Sequence, residues 1–402
     1  MMNPPVNALS RSLAEALREA WAATDAERVI VTGSGKMFVA GADIREIERI
    51  TRREIPPELG YLNELLNLME RGGKRVVMAM NGSALGIGLE LAMAGHYRIL
   101  KTGAFVGMPE VKLGLIPGAG GTQRLPRLAG VEAALRMCVS GETVGSEEAL
   151  RLGIVDELCD EDVVQRALAV IEGRRTDLLV CSKDVDWAKW NAAGKQGQRA
   201  PQRAVAAIRA AVESGSFDAG LAVEERLFRD ALLDGQAKAM VHLFFAEREL
   251  GKAAFLPKGV VAAAVESVTT VDADELALRA GGVCRMKVSP VEFGAKVVEV
   301  KWEHGMQPEL LAAALGYVKG LGKLAVICVG GEGWLGKAGL DAMEGRRLIE
   351  KGMALRAGDL DVLMVRGYGY PVELGGPMYA AENSSQSTTP SQTSESVRDP
   401  LK

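Results

Sequence analysis

The stretch Ala84–Ala92, ALGIGLELA, decides how this chain is read. Two glycines flank Ile87, and a carboxylate, Glu90, follows two residues after the second. A glycine turn running into a helix admits three readings: a phosphate cradle, a tight turn inside a core, or a place where unpaired helix N–H groups meet developing negative charge. The surroundings narrow the choice. RVVMAM (Arg75–Met80) just before it is a continuous apolar run of the kind a buried strand shows, and RVIVT (Arg28–Thr32) is a second. An amphipathic segment, Ala14–Ala23, precedes them, and strand-like and helix-like segments alternate to about Gly173, which predicts an α/β domain.

Composition bounds the function. The 402 residues allow two or three domains, 48% hydrophobic residues predict a soluble, globular protein, and the opening MMNPPVNALSRSL, without the long apolar run of a signal peptide, leads us to expect it inside a cell. Lys and Arg (48) nearly balance Asp and Glu (52), for a net charge of −4, and no basic block tracks a nucleic-acid backbone, so no nucleic-acid partner is expected. Cys138, Cys159, Cys181, Cys284 and Cys328 are scattered, with no CxxC pair, which argues against a disulfide framework or a zinc site. No metal is expected, and His96 in GHYRIL reads as a strand or core residue. No run of eighteen apolar residues offers a membrane span.

Beyond the first domain, Pro201–Gly251 is Ala-rich and helical in pattern, with a pause at SGSFDAG (Ser214–Gly220). Strands are then suggested at AKVVEV (Ala295–Val300) and KLAVICV (Lys323–Val329), with a helix from Pro308 to Leu321 between them. The segment from Glu382 to Lys402 is polar and Ser/Thr-rich and reads as a disordered tail. The predicted divisions are 1–175, a helical extension and linker over 176–255, a third region over 256–381, and the tail over 382–402.

Glu90 and Glu110 stand out by context, the second lying in GMPEVKLGLIPGAGGTQRLP. Two carboxylates facing one cavity can act as acid and base, because burial and mutual repulsion separate their pKa values. Taken singly, each glutamate is more often a solvated surface residue.

Four motifs in order lift the pair above that prior: FVAGADI (Phe38–Ile44), NGSALGIGLELA (Asn81–Ala92), MPEVKLGLIPGAGGTQRLPRLAG (Met108–Gly130) and SGETVGSEEALRLGIVDEL (Ser140–Leu158). Together they resemble the crotonase family, the enoyl-CoA hydratases and isomerases, from Asn3 to about Leu158. Within that family the resemblance is strongest to the N-terminal half of the multifunctional β-oxidation enzymes, whose helical linker resembles Ala206–Arg248. The resemblance implies a crotonase-like ββα spiral, then a helical linker, then a truncated α/β plus helical remnant of a dehydrogenase.

It also implies site residues and a reaction. Glu90 and Glu110 occupy the two glutamate positions of the true hydratases, so the implied reaction is addition of water to a trans-2-enoyl-CoA, with Δ3,Δ2-enoyl-CoA isomerisation as a second use of the pocket. The backbone N–H groups of Ala42 and Ile87 would form the oxyanion hole, Gly118 would help position the water, and Ala40, Gly41, Asp43 and Ile44 would contact the acyl-CoA substrate. No cofactor is required. The phosphate-cradle reading of ALGIGLELA gives way to an oxyanion site. Ile87 departs from the family's usual glycine, and if the turn needs φ > 0 there, its β-branched side chain would be strained.

The later region resembles a shortened 3-hydroxyacyl-CoA dehydrogenase through SPVEFGAKVVEV, LGKLAVICVGGEGWLGKAGL and GYGYPVELGGPM. GGEGWLG (Gly330–Gly336) has a GxGxxG spacing, follows a suggested strand and precedes a suggested helix, but the acidic residue at the right distance, Glu350, falls on a helix-like segment rather than at the end of a second strand, so the match to a dinucleotide site is weak. By the same resemblance Met286 stands where that family has its histidine and Gly336 where it has an asparagine, while Glu299 is kept. NAD binding and dehydrogenase activity are therefore not expected. A bifunctional hydratase/dehydrogenase and a non-catalytic acyl-CoA-binding relative stand as alternatives. The family's first strand has no counterpart before Asn3, so an open sheet edge is expected. The terminus Pro400-Leu401-Lys402 is not a Ser-Lys-Leu signal, so a peroxisomal place rests on resemblance, with the cytoplasm otherwise. Monomer and homo-oligomer both remain open.

Overall fold

The computed structural model describes residues 1–3, 6–52, 60–170, 185–192, 197–253, 256–257, 259–330 and 333–386. The chain divides into two compact units, Met1–Val241 and His242–Lys402.

The first unit holds strands β1 (Arg28–Thr32), β2 (Arg75–Met80), β3 (Ala84–Leu85), β4 (Tyr97–Lys101), β5 (Phe105–Gly107), β6 (Thr143–Gly145) and β7 (Glu157–Cys159). They form a four-stranded sheet in the order β1-β2-β4-β7 and a small sheet in the order β3-β5-β6. The larger sheet is parallel throughout, with Val29 opposite Val76 and Val31 opposite Met78. A parallel sheet is covered on both faces, which explains the unbroken apolar run in β2. Alternate residues of that strand serve different cores. Val76, Met78 and Met80 point into the main core with Leu65, Leu89 and Leu125. Val77 and Ala79 point to the other face, against Ile99, Val163 and Ala167.

Helices complete the unit. The helix Arg11–Ala23 starts three residues before the predicted Ala14, because the Ser10 side chain caps it by accepting from the Leu13 N–H at 3.3 Å. The segment placed in an extension belongs to this unit's core. Ala204, Val205, Ala207 and Ile208 of the helix Ala200–Glu213 lie in the main cluster, and the helix Phe217–Leu232 follows it. The predicted pause narrows to Ser214–Ser216, after which Ser216 caps the next helix by accepting from the Ala219 N–H at 3.1 Å.

The second unit is built on a five-stranded sheet of β8 (Ser267–Thr270), β9 (Glu275–Arg279), β10 (Val283–Val288), β11 (Val297–Trp302) and β12 (Leu324–Val329), ordered β12-β11-β10-β9-β8. Strands β11 and β12 lie close to the two apolar runs read as strands, and they pair in parallel across the helix Pro308–Gly320. The sequence suggests no strand at the antiparallel β8, β9 and β10, which are short and half-exposed and lack the long apolar run of a buried strand. The tail expected from Glu382 is helical at its start. The helix Pro377–Gln386 continues to Gln386, its opening fixed by the Met378 N–H donating to the buried Asp361 carboxylate at 2.7 Å. Residues 387–402 lie outside the described residues.

No helix among the described residues is long and apolar enough to cross a membrane. Among them, no group of three or more His, Cys, Asp or Glu side chains could hold a metal ion. Cys138, Cys159, Cys284 and Cys328 are free and buried, and Cys181 lies outside the described residues.

Candidate active site

Two chain segments run side by side to form the floor of the site. Val39 bridges Ala84 in parallel, and the Leu85 N–H donates to the Val39 carbonyl at 3.0 Å. Ala42 and Ile87 each lie three residues beyond that bridged pair. A Cβ placed on Gly86 would come within 3.9 Å of the Gly41 Cα, so the two loops stay in contact up to the turn. Leu9 uses the Gly41 carbonyl and the Asp43 N–H, which turns the intervening Ala42 N–H to the other side. Ile87 is the first residue of the helix Ile87–Met93, where an N–H has no intrahelical partner. Neither N–H donates to any acceptor among the described residues.

The strain anticipated at Ile87 is absent. The residue with positive φ is Gly86, at φ +56° and ψ −127°, and among the described residues the only non-glycine ones with positive φ are Asn7 and Ala295. Glycine therefore stands where the turn requires it. Ile87 takes a helical conformation and buries its side chain in the main core. A β-branched residue at the start of a helix is compatible with that role, because its side chain packs while its N–H stays free.

Both glutamates arrive at this turn. Glu90 is one helical turn after Ile87 and only 2% exposed, and its Oε1 accepts the N–H groups of Ala119 and Gly121, each at 2.8 Å. Its Oε2 accepts no hydrogen bond among the described residues. Glu110 stands on the short 3₁₀ turn Pro109–Leu113, opened by Pro109 and closed by Gly114 at φ +72°. A Cβ on Gly86 would lie 2.7 Å from Glu110 Oε1, so the turn and this carboxylate are in direct contact. Glu110 Oε2 is buried and has no hydrogen-bond partner among the described residues.

Electrostatics separate the two carboxyls. Burial raises the Glu110 pKa well above the usual carboxylate range, and repulsion from Glu90 and Glu224 adds to it. Burial also raises Glu90, but the Ala119 and Gly121 N–H groups and the Arg124 guanidinium pull it back. The geometry thus favours Glu110 over Glu90 as the partner that holds the proton.

The other expected site residues have mixed positions. Ala40, Gly41, Asp43 and Ile44 are half-buried beside the Ala42 turn. Asp43 has a structural task, capping the helix Ile44–Thr51 by accepting from the Arg45 N–H at 3.0 Å, and Ile44 is that helix's first residue. The Gly118 N–H donates to no acceptor among the described residues, while its Cα faces the Phe228 ring so closely that a Cβ would lie 2.5 Å from Phe228 Cγ. His96 is tied to the sheet, its Nδ1 accepting from the Val76 N–H at 3.1 Å.

Residues 1–174 match the enoyl-CoA hydratase/isomerase family. A probable enoyl-CoA hydratase of Bacillus subtilis (strain 168) is 34% identical over 256 residues, which cover 61% of this chain and 91% of that protein. The chain belongs to the enoyl-CoA hydratase/isomerase family. The first unit is a crotonase fold. The human peroxisomal bifunctional enzyme is 38% identical over 276 residues, 63% of this chain and 37% of that one. A peroxisomal fatty acid beta-oxidation multifunctional protein of Arabidopsis thaliana is 35% identical over 275 residues, 62% of this chain and 38% of that one. The chain thus spans little more than a third of the length of these two relatives.

In this crotonase-family chain one buried carboxylate escaped the sequence reading. Glu224, on the helix Phe217–Leu232, is 0% exposed and accepts the Gly120 and Thr122 N–H groups at 2.6 and 2.9 Å. Burial and the nearby Glu90 push it up to about 8, against the pull of its hydrogen bonds. Its sequence context, AVEERL, looks like any amphipathic helix, and only its place on the buried face of that helix could have singled it out.

In the second unit the glycine-spaced stretch follows β12, but the next helix, Ala342–Glu350, does not begin until after the Asp341 cap. Gly331 and Glu332 lie outside the described residues. The Leu335 and Gly336 N–H groups donate to Glu299 at 2.6 and 3.1 Å, so these loop donors are occupied. Met286 is wholly buried on β10, opposite Val300.

Proposed function

We propose that this chain is an enoyl-CoA hydratase acting on trans-2-enoyl-CoA thioesters. The observation that carries the reading is the meeting of two buried, electrostatically separated glutamates with two unpaired N–H groups at one turn. Glu90, through its unbonded Oε2, takes a proton from a water whose oxygen attacks C3 of the enoyl group. The C2=C3 electron pair moves toward the thioester, and negative charge builds on its carbonyl oxygen. The Ala42 and Ile87 N–H groups receive that charge, a contribution whose loss typically costs ~10²–10³ in rate. Protonated Glu110 then delivers a proton to C2, and the water's second hydrogen stays on the new hydroxyl. Gly118 supplies a further free N–H for positioning the water, and Ala40, Gly41, Asp43 and Ile44 flank the thioester. The reaction adds water without net oxidation, so no cofactor is required.

Proton transfer between C4 and C2 needs one carboxyl group, so Δ3,Δ2-enoyl-CoA isomerisation is proposed as a second activity carried by Glu110. The names of the relatives from human and Arabidopsis place those proteins in peroxisomes and the second in fatty-acid β-oxidation, and the same metabolism is proposed for this chain. Dehydrogenase activity is not proposed. The thioether of Met286 cannot take a hydroxyl proton, and Glu299 spends its oxygens on backbone N–H groups.

The test follows loss of the conjugated enoyl absorbance of crotonyl-CoA. Glu90→Gln and Glu110→Gln are each expected to lower kcat by about 10²–10⁴-fold. Isomerisation should survive Glu90→Gln better than hydration does. An unchanged hydration rate in either variant sinks the assignment, and binding without turnover in the native chain favours an acyl-CoA-binding protein instead. NADH formed from a 3-hydroxyacyl-CoA would overturn the reading of the second unit.

A further inference from the structure

Four consecutive backbone N–H groups alternate between two carboxylates. Ala119 and Gly121 donate to Glu90 Oε1, while Gly120 donates to Glu224 Oε1 and Thr122 to Glu224 Oε2. The Thr122 hydroxyl adds a third bond to Glu224, donating to Oε2 at 2.5 Å, and it is itself held by the Gln123 side-chain amide at 2.9 Å. Gly120, at φ +85°, makes this alternation sterically available, and the helix Gly121–Ala129 starts from it. The turn is therefore clamped from opposite sides by the Glu90 helix and by the helix Phe217–Leu232.

We propose that Glu224 is a positioning residue for the hydration reaction: it fixes the Ala119–Thr122 turn so that two N–H groups hold Glu90 Oε1 and leave Glu90 Oε2 aimed at the water. This deepens the hydratase reading and rests on it.

An ordinary helix cap does not account for the choice of residue. A serine or asparagine would satisfy such N–H groups without placing a third carboxylate in a buried cluster. The groups around Glu224 offer little compensation. Glu90 faces it from the helix Ile87–Met93, Glu110 from the Pro109–Leu113 turn, and the buried Cys138 thiol from the helix Val131–Ser140. Arg124, on the helix that the turn opens, is the nearby cation, and it is shared with Glu70 at 3.0 Å and with the Ala119 carbonyl at 2.9 Å. What the carboxylate provides and a shorter cap does not is two oxygens bridging the N–H groups on either side of Gly121. When ionised it also repels Glu110, which raises that residue's pKa.

The experiment uses the full chain with Glu224→Ala, Glu224→Gln and Thr122→Val, reading kcat and KM for crotonyl-CoA across pH. Glu224→Ala is expected to lower kcat by about 10²-fold, the scale of a small misplacement of a catalytic group, with KM for the thioester nearly unchanged. Glu224→Gln keeps one acceptor oxygen and should recover part of that loss, and the limb of the pH profile set by Glu110 should move to lower pH in both. Thr122→Val, which removes only the hydroxyl donor, keeps the fold testable if Glu224→Ala does not fold, and should show a smaller loss of kcat in the same direction. An unmoved limb with kcat unchanged, or with kcat falling only as folded protein is lost, overturns the proposal. If the native chain does not hydrate crotonyl-CoA, the hydratase reading fails on its own. The positioning claim is then read from the carboxyl ¹³C resonance of Glu90, whose titration should shift in Glu224→Gln and whose constancy would refute it.

Discussion

Gly86 is the residue on which the oxyanion turn depends. It adopts φ +56° and ψ −127°, and a Cβ there would sit 2.7 Å from Glu110 Oε1. Gly86→Ala should therefore lose stability by about 1–3 kcal/mol from the backbone alone, and should lose hydration more severely because the methyl displaces Glu110. Denaturant melts and the crotonyl-CoA assay on the same sample check both halves. A variant with native kcat would show that Glu110 does not act from this place. Ile87→Gly makes the contrasting prediction. Since Ile87 is already helical, the substitution relieves no strain and should not raise the rate, while loss of its buried side chain should cost about 2–5 kcal/mol. A large rise in hydratase rate would mean that the isoleucine does distort the turn. The sequence pointed to this turn and to Ile87 as its donor, but the positive φ that would have strained Ile87 falls one residue earlier, at Gly86, because a dihedral angle is not visible in a string of letters.

At the scale of elements, the site is closed by a helix distant from it in sequence. Phe228, four residues after Glu224 and on the same helical face, lies against Gly118, where a Cβ would come within 2.5 Å of the ring. Gly118→Ala is expected to push this helix outward and so to weaken the Glu224 clamp and the Gly118 N–H together, lowering kcat as well as stability. Phe228→Ala in the same chain should restore part of kcat by making room for the methyl, and no recovery in the double variant would argue against helix displacement as the cause. This also marks what was legible beforehand. The runs RVIVT and RVVMAM gave their strands to the residue; RVVMAM is apolar because its strand is buried on both faces, whereas RVIVT, expected to be buried as well, forms the sheet's edge strand with only Val31 buried. Strands β8 to β10 stayed hidden because one-sided, short antiparallel strands carry a weak signal. Glu90 and Glu110 were legible from motifs local in sequence. Glu224 was not, because its partners lie 102 and 104 residues earlier and only the tertiary fold joins them.

Across the whole molecule, both units bury carboxyl groups whose pKa values are raised, and this sets the direction of their pH dependence. In the first unit Glu90, Glu110 and Glu224 are raised, the last to about 8; in the second, burial lifts Glu299 to about 7 from an ordinary 4.5. A carboxyl whose folded pKa exceeds its unfolded one binds more protons in the native state than in the unfolded state between those two values. Its stabilisation is full below the unfolded pKa and is lost as pH rises through the folded one. For Glu299 the change is of order 3 kcal/mol, lost between pH 4.5 and about 7. Glu299→Gln removes that titration. It should melt at a lower temperature than the native chain at acid pH, because an amide cannot accept from both the Leu335 and Gly336 N–H groups, yet its melting temperature should fall less steeply as pH rises to neutrality. Calorimetry of the full chain and its variant across that range reads the two slopes side by side. Parallel slopes would mean that Glu299 is ionised in the folded protein throughout, held there by its two N–H donors, Lys287 and Lys301 against the cost of burial.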